Sequence, residues 1–231
     1  MNNKWLSNII NSLLISDVNT DYLLSRGCKE ENIKIMGIGE WKSNNIKDFP
    51  IGDGGFLKLM GKSGKRINDT IVIPFYSPNG DIIGLESRIP NTKDIIDYRT
   101  PSASWCPVTV GMNKYLNKMM SGCKVWIVEG IFDLFAMEWV IGKNDAVLAT
   151  LRANVGKNLA KFFYRFGLSV NVVYDNDKAG KDGLDISLKT LKKYGVKCSA
   201  VSYNGFKDPG EIWDFGGEQS LIDVFGKRRI L

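Results

Sequence analysis

The chain has 231 residues, a formal net charge of +6 and a pI near 9.0, so a polyanionic partner is favoured. With 44% hydrophobic residues it can bury the core of one large domain or two small ones. Histidine is absent, which excludes Ser-His-Asp and Cys-His catalysis and leaves metal-centred chemistry carried by carboxylates and cations.

The N-terminal stretch MNNKWLSNIINSLL has no basic segment leading a long apolar one. It is not expected to be a signal peptide, and no apolar run approaches the roughly 18 residues of a membrane span. A cytoplasmic protein is expected. Residues 17–36 predict two short helices, the first capped by Asp17 or Asn19 and ended by Gly27, the second from about Glu30 to Met36. Residues 56–60, 67–76 and 82–89 predict strands. The last two are joined by Ser77-Pro78-Asn79-Gly80-Asp81, where proline fixes a negative φ and glycine tolerates a positive one. An antiparallel α+β subdomain is therefore expected first. Gly61-Lys62-Ser63 ends like a phosphate-binding P-loop, but Phe56 stands where the first glycine should be and a strand follows. The basic stretch from Lys62 to Arg66 reads either as a phosphate-contacting loop or as a solvated turn.

The second half carries the chemistry. KVWIVEGIFD (124–133) runs from an apolar strand into Glu129-Gly130 and Asp133. VNVVYDNDKAG (170–180) runs from another into Asp175-Asn176-Asp177 and Gly180. Both runs have the length and β-branched content of buried parallel strands, and a helical pattern follows each. The acids thus fall at strand C-terminal ends, where open α/β sheets bind ligands. A third cluster is Lys207-Asp208-Pro209-Gly210-Glu211. Carboxylates gathered at one sheet edge repel one another unless a hard cation neutralises them, and Mg²⁺ or Mn²⁺ suits such oxygen donors. Asp133 and Asp177 could each simply cap a helix; that bland reading does not explain Glu129, Asp175 and Asp208 together. The cysteines, Cys28, Cys106, Cys123 and Cys198, form no C-x-x-C pair, so buried reduced thiols and no zinc are expected. Trp126 and Trp139 are expected in the core.

Glu-Gly-x-x-Asp followed by Asp-x-Asp-x-x-Gly resembles the toprim domain shared by bacterial-type primases, type IA and II topoisomerases, OLD-type nucleases and RecR-like recombination factors. DNDKAGKDG and KDPGE are most similar to the primase version. The first half resembles primases more loosely, through YLLSRGCKEENIKIMGIGEW, the hairpin TIVIPFYSPNGDIIGLESRIP with Pro74, Gly80, Gly84 and Arg88, and DYRTPSAS before VGMN. Departures accompany the likeness. Asp97 stands before Tyr98 where the family has lysine, Thr70 replaces an arginine, no Lys or Arg lies between Arg99 and Lys114, and Gly210 replaces an acid.

The resemblance implies an α+β N-terminal subdomain (1–112) followed by an α/β toprim domain with a mainly parallel sheet and a C-terminal helical extension (113–231). It implies primer synthesis on single-stranded DNA from NTPs, and a phage-like stand-alone core. Glu129, Asp175 and Asp177 are the expected catalytic residues, with Asp133, Asp208 and Glu211 completing the metal site. Lys178, Lys181 and Lys207 would meet triphosphate, and Lys62, Arg66, Arg88, Tyr98 and Arg99 would line the nucleic acid. A replicative helicase or a separate zinc-binding module are further expected partners. The alternatives are a toprim nuclease and a non-catalytic nucleic-acid-binding replication factor.

Overall fold

The computed structural model describes residues 4–11, 13, 17–41, 70–92, 95–99, 109–152 and 154–225. Lys62, Arg66, Cys106, the strand expected at 56–60 and the basic run at 227–229 lie outside them. The chain divides into two compact units. One comprises Met1–Leu24 and Lys29–Trp105, the other Ser25–Cys28 and Cys106–Leu231.

The first unit holds α1 (Lys4–Asn11), most of α2 (Asp17–Ser25), α3 (Glu30–Ile35) and an antiparallel meander. Its strands are β1 (Gly39–Trp41), β2 (Thr70–Tyr76), β3 (Ile82–Arg88) and β4 (Ile95–Arg99), in that spatial order. The β2–β3 turn forms as its residues dictate. The Ser77 N–H donates to the Asp81 carbonyl at 2.8 Å, the Ser77 hydroxyl accepts the Asp81 N–H at 3.1 Å, and Gly80 takes φ +84°. Ile71, Val72, Ile73, Phe75, Ile83 and Leu85 are buried, so this sheet is covered on both faces along the hairpin. Antiparallel sheets usually leave one face wet, and then apolar residues alternate; here they do not. Tyr98 pairs with Leu85 and Arg99 with Gly84 across β3–β4.

The second unit is a parallel sheet of β5 (Val125–Val128), β6 (Ala146–Ala149), β7 (Val170–Val173) and β8 (Cys198–Ala200), in the order β6-β5-β7-β8. Its helices are α4 (Met112–Met120), α5 (Ile131–Val140), α6 (Lys157–Arg165), α7 (Lys178–Lys193) and α8 (Pro209–Phe225). β5 and β6 are buried at every residue, as strands with helices on both faces must be. An isolated antiparallel bridge between Val110 and Ala149 caps the β6 side. α5 is apolar almost all round because it is packed on several sides, against the sheet and α8. α8 breaks at Gly216 and Gly217, the latter at φ +61°.

Ser25–Cys28 joins the second unit through two tryptophans. Trp139 of α5 and Trp213 of α8 stack with ring centroids 5.3 Å apart. Their indole N–H groups donate to the carbonyls of Gly27 (2.8 Å) and Ser25 (2.9 Å). Gly27 has φ +82°, and a Cβ there would lie 3.1 Å from the Trp213 ring. Arg26 completes the junction with an ion pair to Asp214 at 2.9 Å and its guanidinium over Phe132. Core packing was the expectation for Trp139. It is instead half-buried, its ring stacked on Trp213 and its N–H serving a chain segment 112 residues away.

Candidate active site

From β5 the chain turns to β6 on one side, and from β7 to β8 on the other. The loops after β5 and β7 therefore diverge and leave a crevice between neighbouring strand ends. Glu129 follows β5 and Asp175 lies just past β7, so the two acids face this switch point. Burial pushes the Glu129 carboxyl up, and Asp175, Asp177 and Asp208 push it further. Its Oε2 is buried without a hydrogen-bond partner. Burial likewise raises Asp175, against the opposing pull of Lys207.

Lys207 stands among these acids. Its Nζ donates to Asp175 Oδ2 at 2.8 Å and to Asp208 Oδ2 at 3.3 Å, and lies 4.0 Å from Asp177 Oδ2. The bonds to Asp175 hold the ammonium well above the ordinary lysine range. Asn176 fixes the segment that carries it. The Asn176 backbone N–H donates to the Lys207 carbonyl at 2.7 Å, and its side-chain amide donates to Tyr203 and Phe206 carbonyls, both at 2.8 Å. The Tyr203 hydroxyl adds bonds to the Tyr174 and Lys207 carbonyls at 3.0 Å each. Sequence reasoning overlooked Asn176; its place between two acids at a strand end was the available signal.

Asp177 caps α7, its Oδ1 accepting the Gly180 N–H at 2.9 Å. Gly180 is obligatory, because a Cβ would sit 2.2 Å from the Asp175 carbonyl oxygen. Asp133 is almost wholly buried. Its Oδ2 accepts the Gly130 N–H at 2.9 Å and its Oδ1 the Gly210 N–H at 3.0 Å. It thus ties the start of α5 to the start of α8. Burial first, then Asp208 and Asp175, push its carboxyl up to about 7. Asp208 caps α8 by accepting the Glu211 N–H at 2.7 Å, and Glu211 in return accepts the Lys207 N–H. Lys178 and Lys181 are exposed on the first turn of α7. Arg88, in the other unit, is bound through Nε to the buried carboxylate of Glu86.

All the donors are hard carboxylate oxygens, and one of them, on Glu129, is buried and unsatisfied; that chemistry fits a divalent cation. Among the described residues no three such side chains already stand in metal-ligand geometry. Lys207 is the cation that these acids share.

Residues 126–213 match the toprim-like family model. The second unit is a toprim-like domain. The chain is similar over 221 residues, at 25% identity, to the DNA primase of Clostridium acetobutylicum, covering 87% of this chain and 36% of the relative. It thus spans little more than a third of that relative's length. The RNA polymerase domain of Mycobacterium tuberculosis primase superposes on 98% of this chain and 84% of its own, with a TM-score of 0.74 at 18% identity. A DnaG primase catalytic domain bound to single-stranded DNA superposes on 92% of this chain and 76% of its own, with a TM-score of 0.71 at 18% identity. Toprim and the antiparallel unit before it together have the fold of a bacterial primase catalytic core. Cys28 is buried and Cys123 and Cys198 are partly so, all three as free thiols. Among the described residues no helix is long and apolar enough to cross a membrane.

Proposed function

We propose that the chain is a primase catalytic core that joins ribonucleotides on single-stranded DNA by metal-dependent nucleotidyl transfer. The observation that carries this reading is the extent of the likeness: it covers the antiparallel unit as well as the toprim acids. The acids alone suit a nuclease equally well.

A 3′-hydroxyl attacks the α-phosphate of an NTP and pyrophosphate leaves. Glu129, whose carboxyl is raised by burial and by the neighbouring acids, takes the hydroxyl proton or orients the hydroxyl. Asp175, Asp177 and Asp208 would hold Mg²⁺ or Mn²⁺ with Glu129, while Asp133 and Glu211 fix the loops that carry them. The cation, when bound, lowers the charge barrier at the phosphoryl group and orients the leaving oxygen. Lys207, displaced from the acids, meets triphosphate oxygens, with Lys178 and Lys181 beside it. Arg88, Tyr98 and Arg99, together with Lys62 and Arg66, bind the template backbone or its bases. The protein works in the cytoplasm, with a helicase or a separate zinc-binding module as partner and no zinc of its own.

The test is primer synthesis on mixed-sequence single-stranded DNA with four NTPs and Mg²⁺ or Mn²⁺, run beside cleavage of labelled DNA. Primer synthesis is expected. Cleavage without synthesis would replace the primase reading with the nuclease one, and neither activity would leave a binding factor.

A further inference from the structure

The toprim-like unit leaves one aromatic side chain in water beside its acids. Phe215 is 75% exposed, the most exposed large hydrophobic side chain among the described residues. Its placement is specific. Asp208, Glu211 and Phe215 are spaced i, i+3, i+7, so they share one face of the first segment of α8. The opposite face carries Trp213, stacked on Trp139, while Ile212, one turn before Phe215, is buried. At 1.5 Å per residue, Phe215 lies about 6 Å beyond Glu211 along the axis. Helical side chains lean toward the helix N-terminus, so its ring inclines back toward the acids.

The ring also has a shelf. Phe206 meets it edge-on, with centroids 5.4 Å apart and planes at 61°. Phe206 immediately precedes Lys207, and its carbonyl is clamped by Asn176. One face of the pair is therefore fixed to the strand end that carries Asp175. Gly216 and Gly217 break the helix directly after Phe215, so no further helical turn leans back over the ring.

We propose that Phe215, shelved on Phe206, is a stacking platform for an unpaired nucleobase whose phosphate is met by the Lys207 ammonium. The proposal rests on the nucleotidyl-transfer reading and adds a base-binding element to it. An exposed aromatic face accepts any base, so stacking there is tolerant of sequence. It also suits a chain in which Asp97 precedes Tyr98 and no Lys or Arg lies between Arg99 and Lys114, where basic contacts are sparse. The base is either that of the incoming nucleotide or one of the single strand.

The experiment compares wild type with Phe215→Ala, Phe215→Leu and Phe215→Trp. Anisotropy measures binding of a mixed-sequence single-stranded DNA oligomer and of an abasic oligomer with the same phosphates; a separate titration measures ATP. All three variants should melt like wild type, since the side chain is exposed. Ala and Leu should weaken binding of the DNA oligomer or of ATP roughly five- to tenfold, and Trp should restore it. A loss confined to DNA assigns the base to the single strand, and a loss confined to ATP assigns it to the incoming nucleotide. The abasic oligomer should not respond. Unchanged affinity in every variant overturns the proposal. So does an equal loss with the abasic oligomer, or a Leu variant as good as wild type, which would mark an apolar docking patch. Wild-type self-association that Phe215→Ala abolishes without changing affinity overturns it too. A wild type that binds neither DNA nor ATP overturns the nucleotidyl-transfer reading itself, a result distinct from all of these.

Discussion

Asp175 and Asp177 differ in what else they do, and their asparagine variants separate the roles. Asn caps helices nearly as well as Asp, so Asp177→Asn should keep α7 and the melting temperature. Both variants should lower primer synthesis at least about 100-fold, because each removes a carboxylate charge that would hold the divalent cation. Wild-type activity in Asp177→Asn would remove it from the site. Lys207→Ala should split two measurements. Divalent-cation affinity, read by calorimetry, should rise several-fold because the competing ammonium is gone, whereas nucleotide turnover falls. Lower metal affinity would show that Lys207 assists the cation instead of competing with it. The acids also predict a pH dependence. Glu129, Asp133 and Asp175 all hold their protons more tightly folded than unfolded. Above the ordinary carboxylate range and up to about pH 7 the folded state of Asp133 therefore binds more protons, and stability falls as pH rises. The metal-free protein should melt lower at pH 8 than at pH 5.5, with added Mg²⁺ narrowing the gap. A higher melting temperature at pH 8 would contradict the raised carboxyls.

At the scale of elements, sequence legibility followed local physics. The two short helices, the β2–β3 hairpin and its turn, and strands β5 and β7 stand where apolar runs and turn residues put them. β6, the short run AVLA ending at Ala149, carries no acid or glycine motif at its end, and β8 is three residues with two exposed. Nothing in their patterning distinguished either from a loop. At the site, two of the three acidic clusters could be read because they follow apolar strands, and the third by its likeness to the primase motif. The clamp by Asn176, the burial of Asp133 and the Lys207 bridge depend on contacts between segments roughly 30 to 80 residues apart, which periodicity does not carry. Asp133 and Asp177 turned out to cap helices, as the bland reading allowed, while standing in the acidic cluster as well. Gly180 offers the sharpest test at this scale. Gly180→Ala should destabilise the protein by about 3 kcal/mol, since backbone rather than a flexible side chain meets the new methyl group. Gly156→Ala, with open space at its Cβ and only the poorer capping of alanine against it, should cost no more than about 1 kcal/mol. Chemical denaturation of both variants measures the contrast, and equal effects would mean that the β7–α7 approach is looser than its geometry.

For the whole molecule, the net charge of +6 makes single-stranded DNA binding a salt-dependent quantity. Affinity should fall linearly on a log–log plot, and Arg99→Ala should flatten the slope by about 0.7 for one lost phosphate contact. An unchanged slope would exclude Arg99 from the backbone contacts. The Trp139–Trp213 junction has a consequence of another kind. The Trp213 N–H bonds a carbonyl made 188 residues earlier, on a segment that belongs to the second unit but is translated among residues of the first. A ribosome delivers Ser25–Cys28 long before either tryptophan exists. The second unit therefore cannot reach its final form during synthesis of the N-terminal half, and a fragment cut at residue 106 would lack part of its own packing. Its completion is an event of the full-length chain, timed by the emergence of α8.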